Sequence, residues 1–145
     1  MKATADYNQD FFAWTLESAE LIRQGRFADL DLQHVAEEIE DMGRSIQRAL
    51  RHRLTVLLAH LLKWRHQPAL RSRSWRYTII EQRDAIIDLL EENPSLKHGL
   101  DEVVAKAYPR AVRDAADETE LKAATFPAQC PWLLEQVLDP EYWPG

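Results

Sequence analysis

The chain has 145 residues, 46% hydrophobic and 29% charged, with a formal net charge of −6. That length suits one domain with a single sizeable core, expected to span 1–145, and the balance excludes an intrinsically disordered chain. No apolar run approaches the roughly 20 residues needed to span a bilayer, which excludes a helical membrane protein, and Met1 to Asp10 lack the apolar segment of a secretory signal, so a cytoplasmic protein is expected.

Sustained apolar/polar alternation is absent and there are only 4 Gly, so the fold class expected is all-α, a bundle of about four main helices. The first helix is expected after Asp6 as N-cap and runs to about Gln24, with Gly25 as the left-handed residue that ends it. Its apolar face is Phe11, Phe12, Trp14, Leu16, Ala19 and Ile22, with Leu21 alongside. Asp29 and Asp31 offer N-caps for a long second helix, where Leu32, Val35, Ile39, Met42, Ile46, Ala49 and Leu50 recur at three- and four-residue steps. Its stripe continues through Leu54, Leu57, Leu58, Leu61 and Leu62 until Pro68 stops it, about thirty residues and roughly 45 Å in all.

Ser72 or Ser74 begins the third helix, whose face is Trp75, Ile79, Arg83, Ile86 and Leu90; Asn93 and Pro94 close it. A fourth helix is expected from about Leu100 to Glu118, kinked or broken at Pro109. Pro131 is placed to open a short helix to about Leu138, and Phe126, Trp132, Tyr142 and Trp143 should wrap the tail onto the bundle. Cys130 sits among Phe126, Pro127, Pro131 and Trp132, a setting for packing and not for redox chemistry.

Tyr7, Asp10, Phe11, Trp14 and Thr15, then Leu30-Asp31-Leu32, Ala36-Glu37-Glu38-Ile39-Glu40, Gly43 and Ser45 are similar to family 29 of the bacterial domains of unknown function. The likeness continues in order through Leu61-Leu62-Lys63-Trp64, Arg71-Ser72-Arg73-Ser74-Trp75, Thr78-Ile79, Gln82-Arg83, Pro94-Ser95-Leu96, Phe126-Pro127 and Cys130-Pro131-Trp132. The resemblance implies a soluble, all-helical bacterial protein with no assigned activity, no cofactor and no catalytic residues to carry over.

Chemistry has few places to sit. Glu37, Glu38, Glu40 and Asp41 share helix faces with one another and with His34, and a carboxylate row beside a histidine can hold a divalent ion. The simpler reading places these acids near the positive end of the helix dipole, paired with Arg48, Arg51 or a basic neighbour. Glu17-x-x-Glu20 followed by Glu38-x-x-Asp41 also resembles the paired acidic motif of the all-α nucleotide pyrophosphatases, in which such carboxylates hold Mg (or Mn) against a triphosphate. On that alternative Glu17, Glu20, Glu38 and Asp41 are the metal ligands of a hydrolase; otherwise no cofactor is expected. Gly43 inside a helix costs about 1 kcal/mol against Ala unless another helix crosses there. A close crossing would bury Glu40 and demand a partner such as Arg73, Arg76 or Arg83.

Charge is segregated along the chain: Lys and Arg against Asp and Glu number 3 to 10 over residues 1 to 43, 10 to 1 over 44 to 83, and 5 to 13 over 84 to 145. The basic middle interleaves arginines with aromatics, and Trp64, Arg71, Arg73, Trp75 and Arg76 form the expected contact surface. Nucleic acid is the weaker partner for it, since the net negative charge repels a polyanion and no zinc-ligand or helix-turn-helix spacing supports it. His52, His60 and His66 cannot chelate one ion by themselves. Ser45, Ser72, Ser74 and Ser95 lack a nucleophile elbow, and the glycines cannot build a phosphate loop or dinucleotide fold. The expected role is therefore a small helical interaction or regulatory protein, working through a helix face on a protein partner or on a second copy of itself.

Overall fold

The computed structural model describes residues 5–145, and among them there are five α-helices and no strand. They are α1 (Phe11–Arg23), α2 (Leu32–His66), α3 (Arg73–Glu92), α4 (Leu100–Thr119) and the short α5 (Leu134–Leu138). The chain is all-α, and it packs as two compact units divided between Ile46 and Gln47.

In the first unit, Asp10 and not Asp6 caps α1: its carboxylate accepts the Ala13 N–H at 3.0 Å. Asp6 instead closes a preceding turn, its side chain accepting from Asn8 N–H at 2.7 Å and its carbonyl from Asp10 N–H at 2.9 Å. Both residues satisfy the N-cap composition rule, and the helix starts at the second because the first spends its oxygen on the turn. Gly25 ends α1 in the left-handed region (φ 70°), with its N–H on Ile22 and the Arg26 N–H on Leu21, the two bonds of a Schellman termination. Asp31 caps α2, accepting the His34 N–H at 3.3 Å.

The α2 helix runs 35 residues, four past the last leucine of its stripe, to the last position that the Pro68 ring tolerates before Gln67 turns out of the helix. In the second unit, Leu50, Leu54, Leu57, Leu58, Leu61 and Leu62 of α2 form one core with Ile79, Ile86 and Leu90 of α3 and Leu100, Val104, Ala107, Tyr108, Ala111 and Ala115 of α4. Ser72 caps α3 by accepting from Trp75 N–H at 3.1 Å. The tail does close over this bundle: Phe126, Trp132 and Val137 join the core, Tyr108 donates its hydroxyl to the Pro127 carbonyl at 2.7 Å, and Trp143 packs on Trp64 at 4.8 Å between ring centres. The short helix begins at Leu134, not at Pro131, where the Leu133 N–H finds the side-chain oxygen of Gln136 at 2.9 Å.

Two expectations are corrected. The α4 helix is not broken at Pro109. Pro109 and Ala105, whose carbonyl loses its helical donor, are both exposed, so water can serve that carbonyl. Nor does any helix cross closely at Gly43: a methyl built there meets nothing within 4 Å. Glu40 is correspondingly exposed and pairs one turn along its own helix with Arg44 at 3.5 Å, while Arg73, Arg76 and Arg83 have other surroundings.

Two positions therefore carry avoidable backbone penalties, Gly43 by its freedom in a helix and Glu120 by its left-handed backbone (φ 60°) after α4. Gly43→Ala and Glu120→Gly are each expected to stabilise the fold by about 1 kcal/mol in urea denaturation. A loss of stability for Gly43→Ala would mean that the open space beside it is filled in solution.

Candidate functional site

In the first unit the residues ahead of α1 fold back onto α2 through rings. Tyr7 stacks on His34 at 3.9 Å between centres and meets Trp14 and Phe11 edge-on at 4.9 and 5.5 Å. Its hydroxyl donates to Glu38, and the second oxygen of Asp31 holds His34 Nδ1. Asp6, Tyr7, Trp14, Asp29, Asp31 and His34 line a pocket of about 360 Å³. Asp29 is clamped by Arg26 through Nε at 3.1 Å and Nη2 at 2.9 Å.

The bonds set the protonation states. The hydrogen bond to Glu38, then partial burial and the nearby carboxylates of Glu37 and Asp41, push the Tyr7 phenol up to about 12. The hydrogen bond to Asp31 raises His34, with Glu37 and Glu38 adding to it, and the bonds from His34 lower Asp31. The Asp31–His34 bond favours the imidazolium over the neutral ring, and the lining holds no serine, threonine, cysteine or lysine for the pair to activate. Its role is positional: it holds the His34 ring at the start of α2, and Tyr7, stacked on that ring and bonded to Glu38, ties the segment that precedes α1 to it.

Beside this lock lies an uncovered apolar surface. The stripe of α2 is continuous in spacing but not in burial: Leu54, Leu57, Leu58, Leu61 and Leu62 are 0% exposed, while Leu32, Ile39 and Met42 are 62%, 59% and 61% exposed. Phe11, Phe12, Leu16 and Ile22 of α1, expected to form its buried face, are likewise exposed, and only Trp14, Ser18 and Leu21 of that helix are buried. Large apolar side chains gathered on so small a unit mark a surface made for contact. Charge borders it: α2 has no Lys or Arg from Leu32 to Gly43 and no Asp or Glu from Arg44 to Arg53.

The carboxylates singled out as metal ligands each have a protein partner of their own. Glu17 accepts the Ala5 N–H at 2.8 Å, Glu20 accepts from Arg23 and Gln24, Glu38 holds Tyr7, and Asp41 pairs with Arg44. Among the described residues no three His, Cys, Asp or Glu come together as a metal site.

The basic corner of the second unit is used from within. Arg71 donates Nε to the Trp64 carbonyl at 2.7 Å, reaches the Pro144 carbonyl at 3.4 Å and lies over the Trp64 ring. Arg76 sits over Trp143, Lys63 over Trp75, and Arg73 is exposed on the first turn of α3. Trp64, Arg71, Trp75 and Arg76 thus make intramolecular contacts that fasten the tail and the turn between α2 and α3.

Two cations of the second unit are buried. Lys63, nearly enclosed, pairs with Glu118 and lies 3.3 Å from His60 Nε2. Since His60 Nδ1 must donate to the Val56 carbonyl at 2.8 Å, Nε2 is the acceptor, and burial followed by Lys63 keeps the imidazole neutral by lowering its pKa. Arg83, 1% exposed, donates to the carbonyls of Val137 at 2.8 Å and Gln136 at 3.2 Å and so caps α5 from the side. Its place on the apolar face of α3 was visible in the spacing; the carbonyls it serves, more than fifty residues on, were not.

A family model for a domain of unknown function, DUF29, matches residues 7–143. No curated protein and no solved structure matches the chain.

The Asp31–His34 pair has a definite pH signature. His34, raised above its ordinary 6.5, contributes fully below that pH and loses its contribution as pH rises through the raised value. Asp31, lowered below 3.8, contributes above that pH and loses it on further acidification. The lock is therefore strongest between 3.8 and 6.5. In an NMR titration of the ring protons, Asp31→Asn should move the His34 pKa downward; an unchanged pKa would contradict the pairing.

Proposed function

Since the chain belongs to the DUF29 family, which brings no assigned activity with it, the reading must come from geometry, and we propose that this is a helical interaction protein that docks through the N-terminal half of α2. One observation carries the proposal: a single helical stripe is core from Leu50 to Leu62 and lies open at Leu32, Ile39 and Met42. Leu32, Val35, Ile39, Met42 and Ile46 alternate in steps of three and four, the seam that knobs-into-holes packing against another helix uses.

The charge order of α2 favours a second copy as occupant. An acidic run at Glu37, Glu38, Glu40 and Asp41 gives way at Gly43 to Arg44, Arg48, Arg51 and Arg53. Two such helices side by side and antiparallel set each acidic run against the other's basic run, whereas a parallel pair sets like against like. The contact would be isologous, apolar along its centre and salt-sensitive at its borders.

Sedimentation velocity across a concentration series tests this. The wild-type chain is expected to dimerise reversibly, more weakly at high salt. Ile39→Asp should weaken the dimer at least tenfold without lowering helicity, because Ile39 is exposed within one copy. A wild-type chain that stays monomeric at high protein concentration, or an Ile39→Asp variant that dimerises unchanged, would overturn the reading.

A further inference from the structure

Within the second unit, α2 and α4 form the walls of a groove of about 490 Å³. Arg48, Arg51, His52 and Thr55 stand one turn apart along one wall, and Lys106, Arg110 and Arg113 along the other. Asp114 is the one carboxylate in the lining, and Val56, Ala107 and Pro109 supply apolar surface.

Arg23, Arg26, Arg44 and Lys63 each hold a carboxylate. Among the described residues Arg51, Lys106, Arg110 and Arg113 have no ion pair and no side-chain hydrogen bond, although the chain as a whole carries a net charge of −6. Among the described residues other cations, such as Arg65, Arg73, Lys97 and Lys122, also lack a carboxylate partner, but Arg51, Lys106, Arg110 and Arg113 line one groove. Like charges one turn apart on a helix repel, and two such rows facing each other repel further. Folding gains nothing from leaving the α4 row of Lys106, Arg110 and Arg113 uncompensated opposite Arg51, and the arrangement suits a ligand that brings the opposite charge.

We infer that this groove binds a small molecule carrying several clustered phosphates. Guanidinium groups engage phosphate oxygens two bonds at a time, and cations on facing walls can hold adjacent phosphates from both sides. The volume lies in the range of small-ligand sites. A polymer is the poorer occupant, since the remainder of this acidic chain repels an extended polyanion while a compact one meets only the groove. Arg48 and Arg51 also belong to the basic run that the proposed dimer sets against a second copy, whereas Lys106, Arg110 and Arg113 of α4 belong to the groove alone, so the Arg110/Arg113 variant tests the groove apart from the seam.

Isothermal titration with inorganic tripolyphosphate tests the inference, with orthophosphate as the single-phosphate comparison. The wild-type chain should bind tripolyphosphate at least tenfold more tightly than orthophosphate. Arg51→Gln and the double variant Arg110→Gln/Arg113→Gln should each weaken it at least tenfold, whereas Arg73→Gln, an exposed cation on α3, should leave it unchanged. All these residues are exposed, and unchanged melting curves would show that the variants fold. The inference is overturned if the wild-type chain gives no binding heat, or if Arg73→Gln weakens binding as much as the groove variants. It is also overturned if oligonucleotides of increasing length bind ever more tightly through the same arginines, which would make the groove part of a nucleic-acid track.

Discussion

A helix of 35 residues can bury its apolar stripe only where something lies against it, and that constraint on α2 governs the rest of the molecule. From Leu50 onward α3, α4 and the tail supply the cover, and each enclosed leucine contributes about 1.5–3 kcal/mol by leaving water. The remaining parts of the second unit hold that cover in place: Tyr108 on Pro127, Arg71 on Trp64 and Pro144, Arg83 on the end of α5. Before Ile46 the same stripe has α1 and the Tyr7 lock beside it, and these leave its central side chains in solvent.

The buried cations show how the second unit gains a unique arrangement. A charge taken out of water must find compensation, and the available compensations are few and directional. Lys63 can be satisfied by Glu118, His60 and the Trp75 face together, which fixes α2 against the end of α4. Arg83 makes no ion pair: its hydrogen bonds go to two backbone carbonyls, the Trp143 ring lies beside it, and desolvation lowers its pKa against the opposing field of Asp139 and Tyr142. Bonding other carbonyls would require the tail to run differently, so Arg83 ties the end of α5 to α3.

Helix identity was legible because the apolar spacing of α2, α3 and α4 is regular; composition narrowed the caps of α2 to Asp29 or Asp31 and of α3 to Ser72 or Ser74, and the structure uses Asp31 and Ser72. For α1 the cap was expected at Asp6 and lies at Asp10; the local turn at Asp6 decided, and no periodicity reports a turn. Pro109 was expected to kink or break α4 because the rule concerns a lost hydrogen bond; the helix is not broken, and exposure of the orphaned carbonyl, which a linear sequence does not state, lets water serve it. Gly43 misled in the opposite sense, since a flexible residue in a helix suggests a close neighbour and the space beside it is open. For the proposed seam, the stripe on α2 and the switch of charge at its middle are visible in the sequence, but spacing does not tell which part of the stripe is covered. The groove between α2 and α4 escaped notice because its two rows, around Arg51 and Arg110, are sixty residues apart and only folding makes them neighbours.

Both functional proposals follow from the same physical imbalance: apolar groups without cover in one unit, cations without counter-ions in the other. The seam is the more consequential, because it explains why a stripe of unbroken spacing changes from buried to exposed within one helix. Hydrogen exchange along α2, measured at protein concentrations below and above the onset of association, tests it most directly. Amides of residues 32 to 46 are expected to gain protection as concentration rises while those of 50 to 62 stay unchanged, since only the first set acquires a cover from a second copy. Protection that is independent of concentration along the whole helix would contradict the proposed docking surface.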